Sequence, residues 1–438
     1  MKKTAWGLGL ISALAGGLLF TRLKAPKGLL LLGPKLLAGA LAPFLAVTGA
    51  VAAWLGAFSR APGAVLAGLF GLAAAARYTS RAVAAPADFE QAFGAGWRAR
   101  ISPQQEAGML PRRWTWRAPQ PAGVRFVRDV LFWTVAENRR DLLCDLWLPP
   151  EVTSMSGIAL IYFHGSAWSM GDKDLGTRWF FRHLANQGHV VMDVAYRLHP
   201  QVGIPDMVGD VQRAVAWMKT NAARLGSRPD RIVLMGGSAG GHLALLAGYA
   251  PGLGAFTPDE LRGVDTSVHG VVSYYGPVDL QFSARQGWRE LRVAEKPGAT
   301  GQAPLLSKIF TPVFDRVLLG QQVGVMLGNL SKLGSRDLLE NLMGGSIDKI
   351  PEVYDLLSPI THIHPGCPPT LLLQGEHDLL VPVETTRKFY RQLLAAGVKA
   401  VYIEFPQTDH AFDLVLPQFS PASQTALYYV ERFLALIQ

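Results

Sequence analysis

Arg231-Ile232-Val233-Leu234-Met235-Gly236-Gly237-Ser238-Ala239-Gly240-Gly241 sets a serine between two glycine pairs at the end of an apolar run. The run reads as a strand, and His242–Gly248, which follows, reads as a helix. A side chain held at the tip of such a strand–turn–helix junction needs a strained backbone, and small residues on both sides let strand and helix approach closely. The pattern Gly-x-Ser-x-Gly in this context predicts that Ser238 is a nucleophile.

An acid and then a histidine should follow such a serine on a parallel sheet. Pro368–Gly375 reads as a buried strand and runs directly into Glu376-His377-Asp378. Asp378 is the expected acid, with Glu376, nearer the strand end, as its competitor. A further strand, Val401–Pro406, leads to Gln407-Thr408-Asp409-His410, which supplies His410 as the expected base. A neutral serine hydroxyl is a weak nucleophile near neutrality, so His410 must take its proton while Asp378 holds the imidazole tautomer. The developing oxyanion needs fixed donors. One is the amide of Ala239, next after the serine. The others are expected from Gly165 and Ser166, in the loop after the apolar strand Gly157–Phe163.

These pieces belong to a linear set: His164-Gly165-Ser166-Ala167-Trp168, Ala195–Pro200, Pro205–Asp210, Gly236–Gly241, Tyr275–Asp279, Ser358–His362 and His410-Ala411-Phe412. The set resembles the BD-FAE and hormone-sensitive-lipase-like esterase groups of the α/β-hydrolases, with carboxylesterases, formamidase-like enzymes and prenylcysteine-methylesterase-like proteins among them. The resemblance covers roughly residues 124–438. It implies an α/β-hydrolase fold: a mostly parallel sheet with helices on both faces, serving ester hydrolysis through an acyl-enzyme with no cofactor. Esterases carry a His-Gly-Gly-Gly type motif after the early strand; here Ser166 and Ala167 replace its second and third glycines, which leaves backbone donors but removes glycine freedom. Tyr196-Arg197 and Ser358-Pro359 are expected to tie loops to the sheet, and His164 to steady its own loop.

The 438 residues are long for one domain, and charge is divided unevenly along them. Residues 1–117 carry a balance of +11, and the remainder is close to neutral at −2. The cations at the front flank apolar runs instead of interleaving with polar residues, which argues against nucleic acid as a partner. Leu36–Phe58 is 23 residues without a charge, enough for a transmembrane helix, although Pro43 lies inside it. Ala5–Phe20 and Ala61–Ala76 are uncharged for 16 residues each. Thr21–Ala25 lacks a small-x-small cleavage site, so a retained anchor over residues 1–82 is expected rather than a signal peptide. The basic flanks predict a membrane protein whose catalytic domain faces the cytoplasm. Residues 83–123, punctuated by prolines, read as a linker.

Cys144 and Cys367 are far apart and suit free buried thiols. No cluster has metal-ligand spacing, and no glycine-rich loop marks a nucleotide cofactor. Strand-like and helix-like runs alternate through 124–438, except at about 282–348, where apolar segments predict a helical cap over the site. The resulting expectation is a membrane-anchored esterase acting on small-molecule or lipid esters. An amidohydrolase or an acyltransferase on the same residues, and a non-catalytic membrane scaffold, are the other readings the sequence allows.

Overall fold

The computed structural model describes residues 1–24, 28–137, 139–287 and 338–438. Among them, eight strands form one sheet: β1 (Arg125–Val135), β2 (Arg140–Leu148), β3 (Gly157–Phe163), β4 (Val190–Val194), β5 (Ser227–Gly237), β6 (Gly270–Tyr274), β7 (Thr370–Gly375) and β8 (Ala400–Phe405). Their order is β1-β2-β4-β3-β5-β6-β7-β8. The β1–β2 and β2–β4 pairs are antiparallel, and every pair from β4 to β8 is parallel. This is the expected α/β-hydrolase architecture.

The inner strands read as unbroken apolar runs because both faces of a parallel sheet are covered. Along β3, Ala159, Ile161 and Phe163 enter one core layer, whereas Ile158, Leu160 and Tyr162 enter the other, as a two-residue period requires. The first layer is completed by the helices Ile204–Leu225, Ala239–Tyr249 and Val383–Ala395, the second by Arg178–Asn186 and Pro421–Ile437. Local chemistry sets the ends of these helices. Pro205 lies in the first turn of Ile204–Leu225, and Gly226, at φ 80°, closes it in the left-handed region. Ser420 caps Pro421–Ile437 by accepting from the Ser423 amide.

The junction after β5 depends on glycine. A Cβ on Gly240 would stand 1.9 Å from the Phe163 carbonyl oxygen, and one on Gly236 would stand 2.4 Å from the Gly240 carbonyl carbon. The start of the helix Ala239–Tyr249 therefore rests directly on the backbone at the end of β3.

The N-terminal region is helical: α1 (Lys2–Phe20), α2 (Leu29–Ala40), α3 (Ala42–Phe58) and α4 (Pro62–Val83). Leu36–Phe58 is not the single continuous span that its composition suggests. It bends by 80° between α2 and α3. Pro43 explains the break, since a proline is suited to the first turn of α3 but would clash with the carbonyl four residues back in an unbroken helix. Among the described residues one helix, Lys2–Phe20, is long and apolar enough by itself to cross a membrane. The interior of the α1, α3 and α4 bundle is made of small residues, including Gly9, Ser12 and Gly16 against Ala64, Gly68 and Gly71. Its outside carries Leu14, Trp54, Phe58 and Leu66, each about 70% exposed.

The stretch 83–123 lies against the catalytic sheet and its last helix. Phe89, Trp97 and Leu110 are buried in the second core layer, the Leu110 amide bonds Glu431, and Tyr429 donates to the Ala85 carbonyl. Of the expected cap at 282–348, the described flanks are helical at Leu280–Phe282 and Leu338–Met343. The apolar segments 305–310, 313–319 and 323–333 lie outside the described residues.

Gly240→Ala should cost about 3 kcal/mol or more, since even modest overpacking of a tight core costs about 1–3 kcal/mol and here the obstacle is backbone. Gly254→Ala, where an added Cβ meets nothing within 4 Å, should leave the denaturation midpoint within experimental scatter.

Candidate active site

Ser238 sits at φ 54° and ψ −122°, a conformation that costs a non-glycine residue energy and aims its side chain off the end of the sheet. Its amide donates to the Tyr274 carbonyl at 2.8 Å, which carries the β5–β6 ladder into the turn. His410 Nε2 lies 3.0 Å from Ser238 Oγ. On the opposite side of the ring, Nδ1 lies 2.9 Å from Asp378 Oδ2 and 3.1 Å from Oδ1. A carboxylate only accepts, so Nδ1 carries the proton and the Nε2 lone pair faces the serine hydroxyl. That is the tautomer a general base needs.

The rest of Asp378 is also occupied. Oδ1 accepts from the amides of Leu380 and Val381 at 2.9 and 2.8 Å, and Oδ2 accepts from Gln374 Nε2 at 2.7 Å. Gln374 is held in turn by Thr386, whose hydroxyl donates to Oε1. Glu376, the competing acid, points elsewhere: its Oε2 accepts from the Gln407 amide at 2.9 Å and from Gln407 Nε2. It bridges the loop after β7 to the loop after β8 and makes no bond to the imidazole.

The loop after β3 lies over Ser238. A Cβ on Gly165 would come within 3.2 Å of Ser238 Cβ. Ser166, Ala167 and Trp168 all adopt positive φ, at 89°, 53° and 58°, in a run of three non-glycine residues. Such a run persists only where its surroundings over-determine it. Tyr196 stacks on His164 at 4.5 Å and donates its hydroxyl to the His164 carbonyl, and His164 Nδ1 lies 2.8 Å from the Gly165 carbonyl oxygen. Burial drives the His164 pKa down to about 4, so the ring is neutral at pH 7 and Nδ1 can donate to that carbonyl. At the far end, Trp168 Nε1 donates to His242 Nδ1 at 3.2 Å, and His242 Nε2 then donates to the Leu357 carbonyl. His242 is on the helix Ala239–Tyr249, so the bond from Trp168 ties the loop to that helix. Ala239 opens that helix, where the first amides have no intrahelical acceptor. The amides of Gly165, Ser166 and Ala239 thus belong to the two segments bordering Ser238.

The motif residues expected to tie loops to the sheet instead hold loops to helices. Fully buried Asp210 accepts from Arg197 Nε and Nη2 at 2.9 Å and from Arg213 Nη1 at 2.7 Å. Ser358 Oγ accepts from the Leu280 amide and donates to the Tyr354 carbonyl.

Sequence reasoning missed several neighbours of the site. The Tyr275 ring lies 4.4 Å from the His410 ring, and its hydroxyl donates to Asp413. Burial raises Asp413 to about 6, with the tyrosine hydrogen bond opposing the shift. Asp409, next to His410, is buried too, which raises its pKa against the pull of Lys35. The only sequence signal for Asp409 and Asp413 was their closeness to His410. Among the described residues no group of three or more His, Cys, Asp or Glu is arranged to hold a metal ion. Cys144 and Cys367 are free and buried.

Asp378→Asn should lower kcat by about 10⁴, the scale seen when a triad acid is replaced by an amide and the wrong tautomer results. Glu376→Gln should lower it less than tenfold, because an amide oxygen still accepts from Gln407. Steady-state kinetics on one ester substrate separates the two, and the reverse ranking would remove Asp378 from the role of acid.

The pattern of the BD-FAE family matches residues 144–308 and 323–393. The probable carboxylic ester hydrolase LipM of Mycobacterium tuberculosis is 30% identical over 358 residues, which span 77% of this chain and 72% of LipM. The esterase LipC of the same organism is 29% identical over 274 residues, 62% of this chain but only 57% of LipC. Isoprenylcysteine alpha-carbonyl methylesterase of Arabidopsis thaliana is 24% identical over 66% of this chain and 57% of its own length. The chain thus spans most of LipM and a little over half of the other two. With a strained serine at the end of β5, an imidazole on its hydroxyl and relatives of this kind, the chain belongs to the BD-FAE family of α/β-hydrolases.

Proposed function

We propose that this protein is a membrane-anchored carboxylesterase with Ser238 as nucleophile, His410 as general base and acid, and Asp378 as the orienting carboxylate. The observation that carries the proposal is the imidazole placed between the Ser238 hydroxyl and the Asp378 carboxylate, 3.0 and 2.9 Å from its two nitrogens. Ser238 Oγ attacks the ester carbonyl carbon as His410 Nε2 takes the hydroxyl proton. The amides of Gly165, Ser166 and Ala239 receive the oxyanion, which needs no reorganisation of donors already fixed in place. His410 returns the proton to the departing alkoxide, leaving an acyl-serine. A water deprotonated by His410 then attacks that acyl group, and the carboxylic acid leaves with Ser238 restored.

The anchoring part rests on the build of the N-terminal bundle. Soluble bundles put large apolar residues inside; this one puts glycine and alanine inside and leucine, tryptophan and phenylalanine outside, as lipid-embedded helices do. At 1.5 Å per residue, helices of 17 to 22 residues match a hydrocarbon core of about 30 Å. We read residues 1–82 as the anchor, 83–123 as the connection and 124–438 as the catalytic domain. Phe20, Arg22 and Tyr78 lie at the ends of α1 and α4 that meet the catalytic domain, while Trp6 and Gly63 meet at the other end. Arg22, Lys24, Lys35, Arg77 and Arg81 gather on the catalytic side, and Lys2, Lys3 and Arg60 mark the opposite side, which favours a cytoplasmic catalytic domain. A site beside a lipid-facing bundle suits lipophilic esters.

Detergent-solubilised protein should hydrolyse p-nitrophenyl esters, and Ser238→Ala should lower kcat by at least about 10⁴. Folded wild-type protein without activity on any chain length would overturn the esterase reading. After an alkaline carbonate wash the chain should stay with the membrane pellet, and recovery in the supernatant would overturn the anchor.

A further inference from the structure

Lys35 is a buried lysine, 2% exposed, whose three ammonium protons each have an acceptor. Nζ lies 2.8 Å from the Thr21 carbonyl oxygen, 3.0 Å from Asp409 Oδ2 and 3.3 Å from His377 Nδ1. His377 can accept because burial, with the Lys35 charge acting in the same direction, lowers its pKa to about 4 and leaves the ring neutral. Asp409 uses its other oxygen on the catalytic loops. Oδ1 accepts from the Leu379 amide at 3.0 Å and from the His410 amide at 2.9 Å. Leu379 follows Asp378 and Asp409 precedes His410. One carboxylate thus joins the backbone of the acid loop to the backbone of the base, and a lysine from α2 neutralises it. The surrounding contacts run the same way. Arg22 donates to the Glu376 carbonyl at 2.8 Å, and the hydroxyls of Tyr78 and Thr408 lie 3.2 Å apart.

Resting on the triad reading above, we propose that Lys35 is a positioning residue for catalysis. It neutralises buried Asp409 and so holds the Asp378 and His410 loops in register, which makes the N-terminal helices part of the catalytic scaffold as well as an anchor. A buried carboxylate stripped of its partner must take up a proton or move toward water. Either change alters the acceptor that spaces His410 from Asp378. A displacement of about 1 Å at such a distance from the chemistry can cost on the order of 10²-fold in rate.

The test compares full-length wild type, Lys35→Met and the double variant Lys35→Met/Asp409→Asn in detergent. Active sites are counted with a fluorophosphonate that labels the nucleophilic serine. Lys35→Met should lower kcat per labelled site by about 10- to 100-fold with KM within about threefold. The double variant has no unpaired buried charge and keeps an amide oxygen for the two backbone donors, so it should regain kcat to within about tenfold of wild type. A kcat for Lys35→Met within twofold of wild type would overturn the proposal. So would a loss fully accounted for by fewer labelled sites, or a folded double variant as impaired as the single one. If Lys35→Met does not fold, the double variant alone decides, because the proposal requires it to be active. The rate of fluorophosphonate labelling reads the same residues without any ester. If no ester is turned over, the esterase reading falls while the labelling rates still judge Lys35.

Discussion

Everything in the catalytic half of this protein is arranged around a backbone that must be bent out of its preferred range at Ser238. A serine at φ 54° is held there only because Gly236 and Gly240 let the strand end, the helix start and the Phe163 carbonyl occupy nearly the same place. With that crossing made, the helix Ala239–Tyr249 fixes the loop after β3 through His242 and Trp168, and the β6 ladder fixes the serine amide through Tyr274. The strain is local. The rigidity that sustains it comes from two apolar core layers pressing on the sheet from opposite faces.

Buried charge organises the loops that the core does not reach. Asp210 gathers Arg197 and Arg213 behind the loop after β4, Asp378 gathers amides and an imidazole, and Asp409 gathers Lys35 and two further amides. In each case a carboxylate with its acceptor positions filled specifies a geometry that apolar packing alone leaves loose. Such sites are costly unless fully satisfied, because removing one partner strands a charge in a medium that cannot solvate it. The same logic joins the N-terminal helices to the sheet: α2 brings the cation that pairs with Asp409.

The strands were legible because burial on both faces writes a continuous apolar run, and the strand–glycine–serine–glycine–helix junction is almost unambiguous in its stereochemistry. Ser238, Asp378 and His410 were legible as residue types after the strands β5, β7 and β8. Asp378 is the acid the sequence favours over Glu376, but two residues in one turn differ in direction rather than in chemistry, and it is the turn that puts one carboxylate on the imidazole and the other on Gln407. Leu36–Phe58 shows the opposite failure. Hydropathy counts apolar residues without regard to direction, so it could not register that Pro43 starts a new helix at 80° to the previous one. Lys35 looks in the sequence like one more cation beside an apolar run, because its partner Asp409 lies 374 residues away.

By itself, the sequence determined what repeats at short range: the β–α alternation, the glycine-flanked turn, the order of serine, acid and histidine, and the segregation of positive charge and apolar runs into the first 117 residues. Only the tertiary structure decided which carboxylate meets the imidazole, which way the long apolar run turns, and that a lysine of the N-terminal helices reaches the buried Asp409 carboxylate beside His410. The reason is physical. Periodicity and turn chemistry act between neighbours in the chain, whereas a hydrogen bond made or missed is decided to within a fraction of an ångström by strands and helices that the chain brings together from far apart.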